Sequence, residues 1–364
     1  MYNVLTLNKI AACGTDLLDK SKYTVTDDAA ANADAILVRS ASMHEMELPG
    51  NLLAIARAGA GVNNIPIDKC TEKGVVVFNT PGANANAVKE LVIAGLLLSS
   101  RKIPAAMDWI KTLKGKGDEV GKLVEKGKSQ FVGPEIMGKK LGVIGLGAIG
   151  ILVANAAAEL GMDVYGADPY LSVENALKLS GKVHYVKSNK EIFEKCDYIT
   201  LHVPALPDTK GMINAEAIAS MKKTVRLLNF ARDTLVDEKA IIDALANGGM
   251  ACYVTDFATD GLIGLDGVVA MPHLGASTPE SEDNCAVMAV REIVDYIENG
   301  NIRNSVNLPN VEMAISGNAK ICVIHKNAEG LLNNITAPVS AAGLNIENMV
   351  SKSCLLYTSP SPRD

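Results

Sequence analysis

The sequence predicts an α/β protein made of two parallel-sheet domains followed by a short βαβ-like tail. Short apolar runs with little polar alternation recur along the chain, separated by helical stretches. Strands of that composition are buried on both faces, as in a parallel sheet covered by helices. The series occurs twice, over the first hundred residues and again from Leu141. At 364 residues the chain is long enough for two or three domains, each with its own core.

In the first series, "NVLTL", "ADAILVRS", "LLAIARAGAG" and "GVVVFNT" read as strands, with "GTDLLDK" and "NIPIDKCTEKG" as helical or turn segments between them. From Asn84 to Arg101 an Ala/Leu/Val-rich stretch, interrupted only by Gly95, predicts a long helix. "KGKGDEVGKLVEKGKSQFVGPEIMG" is polar and glycine-rich and reads as surface. The second series has strands at "LGVIG", "MDVYGAD", "YITLHVP", "TVRLLNFA", "ACYVTDFA" and "GVVAMPH". A helix from about Pro279 to Asn299 closes it, and "GNIRNSVNLPN" reads as a linker. The tail offers strand, helix and strand at "AKICVIHKN", "EGLLNNITAPVSAAG" and "LNIENMVSK".

A net charge of −6 argues against nucleic-acid or acidic-membrane partners, which select a basic face. Seven cysteines (13, 70, 196, 252, 285, 322 and 354) show no zinc-like spacing and are expected to be reduced thiols. The start "MYNVLTLNKI" lacks the pattern of a signal peptide, and "LVIAGLLLSS" is far short of the ~20 residues of a membrane span. A cytoplasmic protein is expected.

"KKLGVIGLGAIG" is the most informative stretch. A strand runs into Gly145, Gly147 and Gly150, an alanine-rich helix follows, and a second strand ends at Asp168. The glycines permit a tight turn, close approach of a pyrophosphate, and close helix–strand packing. The helix N-terminus offers free N–H groups to phosphate. Asp168, about twenty residues on, can accept ribose hydroxyls and repel a 2′-phosphate, so NAD is favoured over NADP.

His273 in "MPHLGAS" and His202 in "TLHVP" each end a strand, where ligand sites of open parallel sheets lie. His44 and His184 read as surface residues. Arg232, just after another strand, is a cation able to fork onto a carboxylate. Asp256 and Asp260 are the carboxylates nearest in sequence to His273. An Arg, an Asp and a His at consecutive strand ends suit hydride transfer from a hydroxy acid, which needs a base, a carboxylate clamp and a group to orient the imidazole.

The ordered motifs "ILVRSAS", "ARAGAGVNNI", "FNTPGANANAVKEL", "GVIGLGAIG", "ADPY", "LHVP", "NFAR", "VDE" and "PHLGAST" resemble the D-isomer-specific 2-hydroxyacid dehydrogenases over about residues 1–350. The resemblance implies a flavodoxin-like substrate domain at 1–97 and 281–305, and a Rossmann NAD domain inserted at 98–280. It implies an active site in the cleft between them, a linker at 306–318, and the first half of an ACT domain at 319–353. Arg232 would grip the substrate carboxylate and carbonyl, and His273 would be the general acid/base. The family's orienting glutamate falls on Asp260, one methylene shorter. The aspartate expected at the nicotinamide amide aligns with Thr255 without gaps and with Asp256 after a shift; Asp256 is assigned. "ARDT" replaces the glycines usual after the arginine.

Further cofactor contacts implied by resemblance are Thr80, Ala148, Ile149, Val203, Pro204, Phe230, Ala231, Gly275 and Ala276, together with His202. The Gly59, Ala60 and Gly61 backbone would bind the substrate carboxylate, and Arg39 and Arg57 a phosphate. The implied reaction is NAD-dependent oxidation of 3-phospho-D-glycerate, towards serine. Another D-2-hydroxy acid, or a non-catalytic NADH-sensing role, is the alternative. A homo-oligomer built through the NAD domain is implied as well. The last eleven residues, "CLLYTSPSPRD", resemble a translated sequencing adapter and are expected to be non-native.

Overall fold

The computed structural model describes residues 1–28, 32–317 and 319–353, so the stretch expected to be non-native lies outside the described residues. The chain divides into two compact units, Met1–Asn84 with the chain from Thr278 onward, and Ala85–Ser277.

The first unit contains β1 (Tyr2–Thr6), β2 (Tyr23–Thr26), β3 (Ala35–Val38), β4 (Ala54–Arg57) and β5 (Val76–Asn79). They form one parallel sheet in the order β2-β1-β3-β4-β5, the flavodoxin-like arrangement. All four residues of β3 are buried, as its unbroken "AILV" run requires. β2 was not anticipated: it is a four-residue edge strand, "YTVT", with two exposed positions and little apolar signal. The helix Pro279–Asn299 begins where the Thr278 hydroxyl accepts the Ser281 N–H at 3.1 Å, and it ends on Gly300 in the left-handed conformation. It buries Cys285, Ala289, Val290 and Ile293 with the β3 and β4 side chains Ala35, Leu37, Ala54 and Ala56. The predicted linker is partly structural. Asn307 is buried, accepts the Val77 N–H and donates to the Val75 carbonyl, while Ser305 bridges Phe78.

The second unit contains β6 (Lys140–Ile144), β7 (Asp163–Ala167), β8 (His184–Tyr185), β9 (Tyr198–Leu201), β10 (Arg226–Asn229), β11 (Cys252–Thr255) and β12 (Val268–Ala270). They form a second parallel sheet, ordered β12-β11-β10-β9-β6-β7-β8. The strand order therefore reverses between β6 and β9, the doubly wound topology whose ligands bind outside the C-terminal strand ends at that point.

The boundary falls at Asn84/Ala85, not at 97/98, because the helix Ala85–Arg101 packs with the second sheet. Val88, Val92 and Leu96 join the core of β6 and its helix, and the Ser100 hydroxyl meets Tyr198 OH on β9 at 2.6 Å. The stretch expected to be surface contains a second helix, Val120–Gly127, after one at Ile103–Lys111, with the Trp109 and Phe131 rings 5.3 Å apart. In the tail only the helix Leu331–Ala341 forms; neither flanking run is a strand. A lone βαβ unit has too few neighbours to bury its strands, and Ile321, Leu344 and Met349 stay exposed. Among the described residues no helix is long and apolar enough to cross a membrane.

Candidate active site

Parallel strands deliver their C-terminal ends to one edge of the second sheet. Following the strand order, that edge presents His273 beyond β12, Asp256 after β11, Arg232 beyond β10, His202 after β9, Gly145 after β6 and Asp168 after β7.

The glycine loop is built as its sequence demands. Gly145 has φ 94°, and a Cβ there would lie 2.5 Å from the His202 carbonyl oxygen. A Cβ on Gly150 would lie 1.9 Å from the Gly145 carbonyl oxygen, so the helix Ala148–Glu159 starts this close to the loop only because that position is bare. Nothing lies within 4 Å of the place a Gly147 Cβ would take, which leaves the loop and the first-turn residues Ala148 and Ile149 open to an incoming group. Asp168 is half-buried; its Oδ2 accepts the Leu146 N–H at 2.8 Å and its Oδ1 the Tyr170 N–H at 2.8 Å. The carboxylate is thus pinned to the glycine loop itself.

His202 donates its backbone N–H to the Ile144 carbonyl at 2.7 Å, and its Nε2 lies 3.0 Å from the Thr200 hydroxyl. Burial of its ring pushes the imidazole down to about 3, so it is neutral. That suits a pocket wall. Val203 and Pro204 follow on the same segment.

The loop after β10 is shaped by Asn229, which is fully buried. Its Nδ2 donates to the Arg232 carbonyl at 2.8 Å and its Oδ1 accepts the Ala231 N–H at 3.2 Å. The sequence reading missed this clamp; a polar residue closing the apolar run "RLLN" was the available signal. Phe230 is buried under Gly95, whose missing side chain admits the ring, so Phe230 itself can offer only backbone. The Arg232 side chain is exposed and folds back to donate to the Ala231 carbonyl at 2.6 Å.

At the β11 and β12 ends the structure separates the two aspartates. Asp260 is exposed, and among the described residues no hydrogen bond or ion pair joins it to His273 or to any other group. The expected Asp260–His273 contact is therefore not made; the chain runs outward past Phe257 and carries Asp260 into solvent. Asp256 is 3% exposed, and neither carboxylate oxygen has a hydrogen-bond partner. Burial raises its carboxyl above the ordinary range, opposed first by the neighbouring His273 and more weakly by the Arg232 guanidinium. Thr255, the gapless alternative, is fully buried, and its hydroxyl accepts the Phe257 N–H at 3.1 Å. His273 is exposed and meets the Phe257 ring edge-on at 5.0 Å. Gly275 and Ala276 continue the same loop, Gly275 buried against Val88.

In the first unit, Arg57 donates through Nε to the Arg39 carbonyl, and its guanidinium lies over Gly59, where a Cβ would be 1.9 Å from Nη1. Gly59 has φ 150°, and its carbonyl accepts the Thr80 N–H, while Ala60 accepts from Asn79 Nδ2 at 2.6 Å. These bonds hold the Gly59–Gly61 turn. Thr80 is fully buried, with its hydroxyl unpartnered. The N–H groups of Arg39, Ser40 and Ala41 all converge on Asn8 Oδ1, and Arg39 Nη2 pairs with Glu282 Oε1 at 2.6 Å.

Residues 93–275 match the family model of the D-isomer specific 2-hydroxyacid dehydrogenase NAD-binding domain, half of the chain. The chain belongs to this family. The D-3-phosphoglycerate dehydrogenase of Bacillus subtilis is 33% identical over 97% of the chain and 68% of its own length. That of Haemophilus influenzae is 34% identical over 83% of the chain and 72% of its own length. The Methanocaldococcus jannaschii counterpart is 35% identical over 86% of the chain, which spans 59% of that relative. Among solved structures, the NAD+-bound 3-phosphoglycerate dehydrogenase of Entamoeba histolytica superposes with a TM-score of 0.66 at 27% identity, covering 84% of this chain and 98% of that one.

As a member of this family the chain is an NAD-dependent oxidoreductase of D-2-hydroxy acids. Its residues fit the dinucleotide: bare Gly145 and Gly150 hold the turn, the open side at Gly147 admits phosphate, and the anchored Asp168 carboxylate suits ribose hydroxyls. NAD, when bound, supplies the acceptor for hydride.

Proposed function

We propose that the chain oxidises 3-phospho-D-glycerate to 3-phosphohydroxypyruvate, the first step towards L-serine. The carrying observation is His273. Among the described residues, His44, His184, His202 and His325 each have a ring nitrogen engaged by a protein oxygen, and His273 has none. Its ring nitrogens are free for a substrate hydroxyl. His273 takes the C2 hydroxyl proton as hydride leaves C2 for the nicotinamide ring. Arg232 turns from the Ala231 carbonyl to fork onto the substrate carboxylate and polarise the C2 oxygen. Asp256 meets the nicotinamide amide, and Thr80, Val203, Pro204, Phe230, Ala231, Gly275 and Ala276 complete the cofactor contacts. The Gly59–Gly61 backbone binds carboxylate, and Arg39 and Arg57 bind phosphate. The named relatives, at 33–35% identity, support this substrate.

Initial rates of NADH oxidation with 3-phosphohydroxypyruvate, hydroxypyruvate and pyruvate test the reading. The phosphorylated acid should be strongly preferred. Equal or faster turnover of the others would replace the substrate, and no turnover with any would favour an NADH-sensing protein.

One observation favours an unphosphorylated acid: Arg39 already faces a carboxylate, Glu282. Both side chains are 40% or more exposed, and such pairs contribute about 0.2–1 kcal/mol, too little to hold off a dianion. Glu282→Gln should accordingly lower KM for the phosphorylated substrate two- to fivefold (about 0.4–1 kcal/mol) with kcat unchanged. A KM that falls equally for hydroxypyruvate would remove Arg39 from the phosphate site.

Homo-oligomerisation through the second unit is part of the same proposal, supported by exposed Leu97, Met107 and Ile110. So is a cytoplasmic location, since all six described cysteines are free thiols.

A further inference from the structure

We propose that Asp256, and not Asp260, is the carboxylate that orients and charge-balances the His273 imidazole. This inference rests on His273 being the base. Asp256 is nine-tenths buried and more, with both carboxylate oxygens unpartnered. Such a group is costly unless compensating charge lies near. A Cβ on Gly275, two residues beyond His273, would lie 3.6 Å from Asp256 Oδ2, so the carboxylate faces the loop after β12 that carries the imidazole. Arg232 follows from the loop after β10, and the neutral Tyr253 hydroxyl lies on its own strand. Phe257, the next residue, holds the imidazole edge-on at 5.0 Å, beside the strand end that carries Asp256.

Electrostatic coupling is reciprocal. If positive charge at His273 stabilises ionised Asp256, then ionised Asp256 stabilises positive charge at His273 by the same amount. That charge appears when the C2 hydroxyl proton moves to the ring, so the buried carboxylate is a preorganised partner for the imidazolium. Asp260, exposed and unbonded, has neither the geometry nor the low-dielectric surroundings for this task. Thr255 is buried but carries no charge. With two oxygens, Asp256 retains acceptor capacity for the nicotinamide amide. It is a positioning residue.

The test needs no turnover. In the apo protein, the His273 C2–H signal is assigned by its loss in His273→Gln and titrated by proton NMR. Asp256→Asn should lower the proton affinity of His273 about tenfold or more, a downward midpoint shift of about one unit. Asp256→Glu should restore most of it. Asp260→Asn should leave the midpoint in place. A midpoint that stays in Asp256→Asn, or moves in Asp260→Asn, overturns the assignment. Should Asp256→Asn not fold, judged by far-UV circular dichroism, the Asp260→Asn and Asp256→Glu titrations decide: a His273 midpoint displaced by the first or lost in the second overturns it. Failure of the base assignment reads differently, as turnover retained in His273→Ala whatever the titrations show.

Discussion

His273→Ala should lower kcat by about 10²–10⁴ while leaving NADH affinity within a small factor of the parent. The size follows from the role. A positioned base removes the cost of forming a free alkoxide at C2, and removing it leaves water, which is poorly placed and a weak acceptor. No other described histidine can substitute. His202, also on the β-strand edge, is neutral, holds its proton weakly and is tied to Thr200. His44 and His184 bond Asn63 and Asp163 away from the strand ends that carry the site. NADH binding should persist because the phosphate loop at Gly145–Gly150 and the Asp168 anchor belong to other strands. Steady-state kinetics with a fluorescence titration of NADH measure both quantities. A fall in kcat and kcat/KM together, with unchanged NADH affinity, marks an interaction made in the transition state. Turnover undiminished by the substitution would end the assignment.

Legibility in the sequence depended on how local each constraint was. The glycine loop was readable because its demands are backbone demands: no residue with a Cβ fits at Gly145 or Gly150, whatever surrounds them. The strands of both sheets were readable because burial on two faces forces apolar runs such as "AILV" and "YITL". Edge strands escaped, since β2 and β8 are short and half polar. The helix Val120–Gly127 escaped because its glycines and lysines mask the apolar stripe at Leu123 and Val124. The domain boundary escaped because an apolar helix does not announce which sheet it covers. The aspartates escaped for a related reason. The family resemblance put the orienting carboxylate at Asp260, but whether a loop residue points inward is decided by packing several strands away. The tail strands were expected from local pattern and did not form, since strand formation needs neighbours that pattern alone does not supply.

Glu292→Gln should stabilise the protein, by an amount that grows with pH. Glu292 lies on the helix Pro279–Asn299 and is 8% exposed. Its Oε1 accepts Asn304 Nδ2 at 2.7 Å, and its Oε2 has no partner. Burial pushes its carboxyl up to about 8 from an ordinary value of 4.5, with the Asn304 bond only partly opposing it. The fold therefore keeps a proton there that the unfolded chain sheds near 4.5. Between those values the native state binds more protons, so stability falls as pH rises through that window and levels off above about 8. At 1.36 kcal/mol per unit, the liability is roughly 3 kcal/mol at pH 7 and approaches roughly 5 kcal/mol beyond 8. Glutamine has the shape of the protonated acid and still accepts from Asn304, so the gain should be near zero at pH 4.5 and largest at pH 8–9. The glutamate has a structural use that the variant retains: it pins Asn304, held at φ 55°, whose carbonyl accepts the Asn79 N–H where the returning chain meets β5. Glu292→Ala should forfeit that pin and lose part of the gain at every pH. Urea unfolding followed by far-UV circular dichroism at pH 5 and pH 8.5 distinguishes the cases, and a pH-independent effect of Glu292→Gln would mean that the carboxylate is solvated and ionised in the fold.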